Sequence, residues 1–201
     1  MKKVILLFLI ANLFFSGAPL KQYNDDKINE VIMDTTIKRK QNIEEDLIVE
    51  VNKYIKTVAP SSQVNADTLI KNCQEYNVDI IFVLAQGTLE SHFATKGIGK
   101  KINSVFNVRV FDTIKNWNEV DKKYKYFHPD ESIKPYLKLL TENYLVDGKT
   151  ENDLLNNFVN KHGQRYASHP HYEKQLMSII NDIKKNTKIE SLQQEYKTLN
   201  I

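Results

Sequence analysis

Apolar residues recur at intervals of three and four along most of the chain, which is the spacing that lines one face of an α-helix. The stretches with this spacing predict helices over about residues 43–55, 66–76, 80–93, 129–144, 151–161 and 171–185, and a terminal amphipathic helix over 189–199. Turn-forming residues separate them, such as Pro60 after the first and Gly163 after the fifth. The pattern therefore predicts a mainly helical protein.

The helix predicted from residue 80 is apolar on nearly all sides, because it begins with the run Ile80 to Ala85. A helix of this kind is buried in the middle of a domain. Asn77 is predicted to cap it, and Asp79 in its first turn suits the positive end of the helix dipole. The segment Lys96 to Gly99 holds two glycines and is predicted to be a turn that follows the helix.

Between residues 103 and 127 the pattern changes to strand-forming residues around a polar centre. These residues are Val105, Phe106, Val108, Val110 and Phe111, followed by Tyr124, Tyr126 and Phe127. They predict a small lobe of two or three strands. The fold class expected for the whole chain is thus mainly α with a small β component (α+β).

The N-terminal residues have the features of an export signal. Two lysines precede the apolar run 4–15, and the small residues Ser16 and Ala18 fit a cleavage site. The run is shorter than the roughly 20 apolar residues that span a bilayer comfortably. Residues 1–18 are therefore predicted to be a signal peptide or, if uncleaved, a short membrane anchor, and the protein is expected in the periplasm, the cell envelope or the medium.

The rest of the chain divides by composition into three parts. Residues 19–45 carry many charges and few large side chains, and they are predicted to be a polar spacer with at most a short helix. Residues 46–185 carry the apolar pattern of a folded domain. Residues 186–201 are predicted to be a helical tail, which offers a docking surface for an assembly partner, including a phage particle.

Charge and cysteine content narrow the function classes. The chain has 28 Lys and Arg against 25 Asp and Glu, a formal net charge of +3, and this near balance does not point to nucleic acid. Cys73 is the single cysteine, so an intramolecular disulfide is excluded, and its apolar neighbours predict a buried thiol. His162, His169 and His171 lack accompanying cysteine or acidic ligands, so neither a metal site nor another cofactor is predicted.

The segment Leu84 to Phe93 carries the candidate chemistry, because it places Glu90 at the end of the apolar helix. Desolvation and the negative end of the helix dipole both favour the neutral carboxyl, so the pKa of Glu90 is expected above its usual value. A glutamic acid that stays protonated near neutral pH can protonate the leaving oxygen of a glycosidic bond. Gln86, one turn earlier on the same face, is placed to orient a sugar or the carboxyl. The alternative is a helix that ends in a solvated glutamate.

Four stretches in order along the chain carry a recognisable pattern: AQGTLES from residue 85, NSVFNV from residue 103, YFHPDESI from residue 126 and YASHPHY from residue 166. They resemble segments of the bacterial endo-β-N-acetylglucosaminidases, the flagellar- and autolysin-type peptidoglycan hydrolases of the lysozyme-like superfamily. In that family the corresponding segments read Ala-Gln-x-x-Leu-Glu-Ser, Asn-Asn-Leu-Phe-Gly-Ile, Tyr-x-Ser-x-Glu-Glu-Ser-Ile and Tyr-Ala-Thr-Asp-Pro-x-Tyr. The resemblance covers about residues 48–183.

The resemblance implies a lysozyme-like fold, in which a helical lobe and a small β lobe flank a groove for the glycan strand. By matching position, it implies that Glu90 is the general acid. It also implies that Tyr166 lies in the catalytic site, where it contacts the sugar or supports the reaction centre. The alternative for Tyr166 is a packing tyrosine at the entry of a helix.

Further residues of the matching segments are candidates for substrate binding, together with Gln86. Phe106 and Tyr126 are expected to shape the groove, although either also suits the core. Asn103 and Ser91 are expected to make polar contacts with the sugar. The alternatives for these two are a turn residue and a helix C-terminal residue.

A second carboxylate completes most glycosidase sites, and here the chain departs from the family. The family carries an acidic residue in the β lobe, in a Thr-x-Glu-Tyr-like context that this chain lacks. Asp112, Glu119 and Asp121 are the candidates, and Glu119 is favoured as a catalytic residue because the neighbouring Trp117 suits a sugar subsite. The alternatives are a solvated loop glutamate and assistance by the acetamido group of the substrate.

The function implied by the resemblance is hydrolysis of the β-1,4 bond after N-acetylglucosamine in the glycan strand of peptidoglycan. A lytic transglycosylase or muramidase of the same superfamily is the nearest alternative, because it also uses one glutamate. A non-catalytic wall-binding or phage structural protein that keeps the fold is the alternative from another class.

Overall fold

The structure, a computed structural model, describes residues 25–108 and 125–199, with side chains from residue 31 onward. Within these ranges the helices are α1 (Asp25–Val58), α2 (Ala66–Glu75), α3 (Ile80–Ser91), α4 (Gly97–Ile102), α5 (Ile133–Asn143), α6 (Glu151–Asn156), α7 (Tyr172–Asn186) and α8 (Ile189–Thr198). A short 3-10 helix, Pro129–Ser132, leads into α5. The described residues form no strand beyond an isolated antiparallel bridge between Val159 and Arg165. The prediction of a mainly helical fold is confirmed.

The chain divides into two units, Met1–Arg39 and Lys40–Ile201. In the first unit the described residues belong to α1, so the segment predicted as a polar spacer, 19–45, is helical from Asp25 onward. Lysine, glutamate, glutamine and arginine are good helix formers, which explains a helix in a segment with few large apolar residues. Among the described helices none is long and apolar enough to cross a membrane.

The centre of the second unit is α3, which packs along α7 and also contacts α2, α4 and α8. Every residue from Ile80 to Thr88 is buried, as the apolar pattern predicted. Apolar side chains of this kind each contribute about 1.5–3 kcal/mol when they are fully buried. The helix is thereby fixed in the interior, and near its C-terminal end Leu89 and Glu90 are partly exposed.

The N-terminal cap of α3 differs from the sequence-based expectation. Asp79, and not Asn77, is the capping residue, because its Oδ1 accepts a hydrogen bond from the backbone N–H of Phe82 at 3.0 Å. Asn77 instead lies two residues earlier with φ of 51°, in the left-handed region that asparagine tolerates better than most residues. Which of the two residues caps α3 depends on the geometry of the turn between α2 and α3, and the apolar pattern does not specify that geometry.

The structure does not show the small β lobe that is predicted for residues 103–127. Residues 109–124 lie outside the described residues, and the described parts on either side, 103–108 and 125–127, form no strand. Asn103 and Asn107 have φ of 50° and 57°, which interrupts an extended backbone between them. Val105 and Phe106 are at most 1% exposed and pack into the core.

Two further elements differ from the pattern, and the terminal helix agrees with it. The predicted turn at Lys96 to Gly99 begins α4, and Gly99 fits there because a Cβ would lie 2.4 Å from the Cβ of Ser91. The helix predicted over 151–161 ends at Asn156, after which Phe158 is buried in the core. The predicted terminal helix is present as α8, and Ile189 at its start is fully buried.

Candidate active site

Glu90, in the last turn of α3, faces a cavity of about 690 Å³. The other described residues that line this cavity come from the loop after α4, from α5 and from the loop before α7. They are Phe106, Asn107, Val108, Pro135, Lys138, Leu139, Glu142, Asn143, Tyr144 and Tyr166. The cavity therefore places a carboxyl group beside apolar, aromatic and polar side chains from several parts of the chain.

Both oxygens of the Glu90 carboxyl accept a hydrogen bond. The hydroxyl of Tyr172, at the start of α7, donates to Oε1 at 2.5 Å. The side-chain amide of Asn107 donates to Oε2 at 2.8 Å and also to the backbone carbonyl of Glu90 at 3.0 Å. With one donor on each oxygen, the orientation of the carboxyl is fixed.

The bond from Tyr172 is the last of three that run in one direction. The buried Tyr136 hydroxyl donates to Oε1 of Gln86 at 2.5 Å, and Nε2 of Gln86 donates to the hydroxyl of Tyr172 at 2.9 Å. Tyr172 then donates to Glu90. Hydrogen bonds aligned in series polarise one another, so the chain presents a strengthened donor to the carboxyl.

Burial raises the pKa of Glu90 above its ordinary value, and the donors Tyr172 and Asn107 oppose part of that rise because they stabilise the ionised form. The sequence-based expectation of a raised pKa is therefore confirmed in direction. The negative end of α3 acts in the same sense as burial. A carboxyl in a cavity that holds its proton to higher pH than a solvated glutamate is suited to act as a general acid.

Four aromatic rings pack together beside Glu90: Tyr144, Phe158, Tyr166 and Tyr172. Tyr166 stacks on Phe158 with ring centroids 4.6 Å apart, and it lies 5.5 Å from Tyr144 and 5.7 Å from Tyr172. Burial raises the pKa of Tyr166 well above its usual value, and the nearby Glu90 carboxylate adds to the rise. Tyr166 thus lines the cavity together with Glu90 and remains a neutral hydroxyl across the ordinary pH range, whereas its catalytic role stays a prediction.

Gln86 and Ser91 were expected to contact substrate, and the structure places both in the interior. Gln86 is 0% exposed, and its amide bonds two tyrosines, so it orients the Glu90 carboxyl through Tyr172. Ser91 is 1% exposed. Its hydroxyl donates to the carbonyl of Val105 at 2.7 Å and accepts from the N–H of Ala94. Neither side chain presents a surface to a sugar.

The remaining candidates for substrate contact also have structural roles. The amide of Asn103 donates to the carbonyls of Tyr126 and Phe127 at 3.0 and 3.3 Å. Phe106 stacks on Tyr136 with centroids 3.8 Å apart, and it lines the cavity although it is only 1% exposed. Tyr126 is 8% exposed, burial raises its pKa to about 12, and its hydroxyl has no partner among the described residues.

The candidates for the second carboxylate lie in the segment between Val108 and Lys125. Glu119, with Asp112 and Asp121, lies outside the described residues. Of the described acidic residues, Glu142 also lines the cavity, but it is exposed and its Oε1 lies 3.9 Å from Nζ of Lys138. No group of three potential metal ligands occurs in the described parts of the chain.

Sequence reasoning missed three residues that the structure brings to the carboxyl: Asn107, Tyr136 and Tyr172. Asn107 and Tyr172 fall inside stretches that carried the resemblance, and Tyr136 follows three residues after one. Their role depends on contacts between residues far apart in the chain, such as the 82 positions that separate Tyr172 from Glu90. A tyrosine at the start of an amphipathic helix gives no such signal by itself.

The known proteins that are similar to this chain indicate one family. Residues 66–185 match the sequence profile of the glucosaminidase family, described as mannosyl-glycoprotein endo-beta-N-acetylglucosaminidase. Two curated proteins from different strains of Streptococcus pneumoniae are each 27% identical to the chain over 125 residues, and both are named "Putative endo-beta-N-acetylglucosaminidase". The aligned region is 59% of this chain but only 17% and 16% of those relatives, so the chain spans a small part of their length.

Proposed function

The chain belongs to the glucosaminidase family, a family of glycoside hydrolases, and from that premise we propose that it hydrolyses the glycan strands of peptidoglycan. The bond cut is the β-1,4 linkage after N-acetylglucosamine, and Glu90 is the general acid. The observation that carries this proposal is the Glu90 carboxyl, which faces the cavity with a raised pKa and one hydrogen-bond donor on each oxygen.

In the proposed step, the proton of Glu90 passes to the glycosidic oxygen as the bond from that oxygen to the anomeric carbon breaks. The bonding electrons stay with the oxygen, and positive charge develops on the sugar ring. The carboxylate that remains is stabilised by Tyr172 and Asn107, which already point their donors at it. Because these donors are fixed beforehand, the charge forms with little reorganisation.

Water then forms a bond to the anomeric carbon of the charged sugar and gives up one proton. Glu119 is the proposed base that accepts this proton. If Glu119 is dispensable, the acetamido oxygen of the substrate bonds to the anomeric carbon first, and water then breaks that bond. Tyr166 is proposed to contact the sugar, because it lines the same cavity as Glu90 and its ring lies 5.5 Å from that of Tyr144. The aromatic cluster suits the apolar faces of pyranose rings.

The substrate lies outside the cytoplasm, and the proposed location follows from the N-terminal segment. Residues 1–18 are proposed to export the protein, either as a cleaved signal or as a short anchor. The helical tail is proposed as the place where an assembly partner docks.

The test is the chemistry of the products. Purified full-length protein is incubated with bacterial sacculi, and the soluble fragments are reduced and analysed by mass spectrometry. Fragments that end in reduced N-acetylglucosamine support the proposal. Anhydro-muramic ends would instead identify a lytic transglycosylase, and reduced muramic ends a muramidase. Binding to sacculi without any release of fragments would identify a non-catalytic wall-binding protein.

A further inference from the structure

Asn107 makes an unusual pair of contacts for a loop residue. It lies after α4 with φ of 57°, and the Nδ2 atom of its side chain donates both to Oε2 and to the backbone carbonyl of Glu90. The two acceptors belong to the same residue, so the amide ties the end of the Glu90 side chain to its own helix backbone. Tyr172 fixes the other oxygen.

The fold accounts for only one of the two contacts of Asn107. The bond to the backbone carbonyl of Glu90 satisfies one of the carbonyls that the last turn of a helix leaves free, and the left-handed backbone is one that asparagine tolerates. The bond to Oε2 of Glu90 has no such role. The Oδ1 atom of Asn107 is buried and has no hydrogen-bond partner among the described residues, and a buried unsatisfied acceptor lowers stability. This unfavourable feature occurs where Nδ2 of the same side chain contacts the Glu90 carboxyl, which indicates a functional position.

We propose that Asn107 is a positioning residue for the general acid, which holds the Glu90 carboxyl in one orientation at the cavity and favours its charged form after the proton has left. This inference rests on the proposed role of Glu90 as proton donor. With Asn107, the Glu90 carboxyl has a second fixed hydrogen-bond donor, which a glycine at position 107 would not supply.

The environment of Glu90 defines what the loss of Asn107 will change. Among the described residues, the titratable groups that act on Glu90 are the hydroxyl of Tyr172 from α7 and the neutral tyrosines Tyr136 from α5 and Tyr166 from the loop before α7. Lys138 and Glu142 line the same cavity. Asn107 opposes the rise in the pKa of Glu90 that burial causes, so its removal is expected to raise that pKa further.

The test replaces Asn107 by glycine, which adopts the same φ without strain and removes only the side-chain amide. The pKa of Glu90 is followed by carbon NMR of the labelled glutamate carboxyls, with the Glu90 signal assigned by its absence from Glu90→Gln. The variant is expected to titrate at higher pH than the wild type. Its kcat is expected to fall on the order of tenfold with a smaller change in KM, because the acid is less well oriented.

Asn103→Gly is the matched control, because Asn103 is also a left-handed asparagine of this loop, with φ of 50°, but donates to backbone carbonyls instead of to Glu90. Its Glu90 titration is expected to coincide with that of the wild type. An equal upward shift in both variants would overturn the inference, because the effect would then come from the loop and not from the amide.

Two results separate this inference from the proposed function. An unchanged Glu90 titration in a folded Asn107→Gly variant overturns the inference, whatever the activity. A shifted titration in a protein that never cleaves glycan supports the placement of Asn107 and removes the proposed function.

If Asn107→Gly does not fold, the isosteric Asn107→Asp is titrated instead. It puts a second carboxyl beside Glu90, so the two groups are expected to titrate as a strongly coupled pair. Independent titrations of the two carboxyls would overturn the inference.

Discussion

The two ends of α3 carry acidic residues with opposite surroundings. At the N-terminal end, Asp79 and Glu151 accept hydrogen bonds from backbone N–H groups of Phe82 and Asp79, and Gln193 accepts from Ile80. At the C-terminal end, Glu90 accepts from the side chains of Tyr172 and Asn107 and faces a cavity. The first set completes the helix, whereas the second fixes the orientation of the carboxyl that we propose as the proton donor.

The difference follows from where the helix has unsatisfied groups. The first turn offers free N–H groups and the positive end of the dipole, so a carboxylate there stabilises the helix. The last turn offers neither, so a carboxyl there is poorly supported by the helix and depends on residues distant in sequence. The end of the helix at which an acidic residue lies therefore indicates whether it is structural or a candidate catalytic residue better than the residue type does.

The largest effect is expected from Glu90→Gln. Loss of a general acid lowers kcat by about 10²–10⁴-fold, and release of reducing ends from sacculi measures it. The amide has a similar shape and needs no ionisation. Because burial raises the pKa of Glu90, the wild type is destabilised by ionisation as pH rises through that raised value, and the variant is not. The melting temperature of the variant is expected to equal the wild type in acid and to exceed it at higher pH.

The next effect is expected from Tyr172→Phe, which removes one donor from the Glu90 carboxyl. The pKa of Glu90 is expected to rise, since that donor opposes the effect of burial. Glu90 then stays protonated to higher pH, so the basic limb of the kcat profile moves upward. At the optimum kcat is expected to fall on the order of tenfold, in line with the worth of a charged hydrogen bond.

If the basic limb of the kcat profile of Tyr172→Phe moved to lower pH instead, the Tyr172 hydroxyl would be shown to stabilise the neutral acid. The contrast between the two ends of α3 would then not hold. The same change leaves Nε2 of Gln86 without its buried acceptor. Thermal unfolding should therefore show a loss of roughly 1–3 kcal/mol.

Much of the fold follows from the apolar pattern, because periodicity depends on residues near one another in sequence. The burial of Ile80 to Thr88 and the presence of α8 were predicted on that basis. The cap of α3 was not, because Asn77 and Asp79 are equally suited by residue type and the turn geometry decides between them. The strands predicted between Asn103 and Phe127 are absent from the described part of that segment, because two asparagines with a left-handed backbone conformation interrupt the extended backbone there.

Of the candidate site, the sequence predicts Glu90 and Tyr166 but not the partners of the carboxyl. Glu90 is a candidate because a carboxyl on an apolar helix is anomalous and because its segment resembles that of a known family, and its raised pKa agrees in direction. The sequence also identifies Gln86 as a candidate that orients a sugar or the carboxyl. Because Gln86 is fully buried and donates a hydrogen bond to Tyr172, it acts on the carboxyl through Tyr172 and does not contact a sugar. The partners of the carboxyl come from the loop after α4 and from the start of α7, and their convergence depends on tertiary packing.

A smaller effect, confined to stability, is expected at the other end of α3. Asp79→Ala removes the cap and leaves the N–H of Phe82 without its acceptor. The free energy of unfolding in urea is expected to fall by about 1 kcal/mol. The kcat at 25 °C should stay within about twofold of the wild type, because the fraction of unfolded protein remains small. A loss of kcat comparable to that of Tyr172→Phe would show that the two ends are coupled.

The smallest effect is expected from Gln193→Ala in α8. Its amide accepts from the N–H of Ile80 at 3.1 Å and donates to Oδ2 of Asp79 at 2.6 Å, so the tail completes the start of α3. The side chain is partly exposed and water can replace these bonds, which limits the expected loss to about 0.5–1 kcal/mol in urea unfolding. Combined with Asp79→Ala, the loss should be less than additive because the two side chains share one contact. Full additivity would mean that the hydrogen bond between the Asp79 and Gln193 side chains adds nothing to stability, and that each side chain contributes only through its own bond to the α3 backbone.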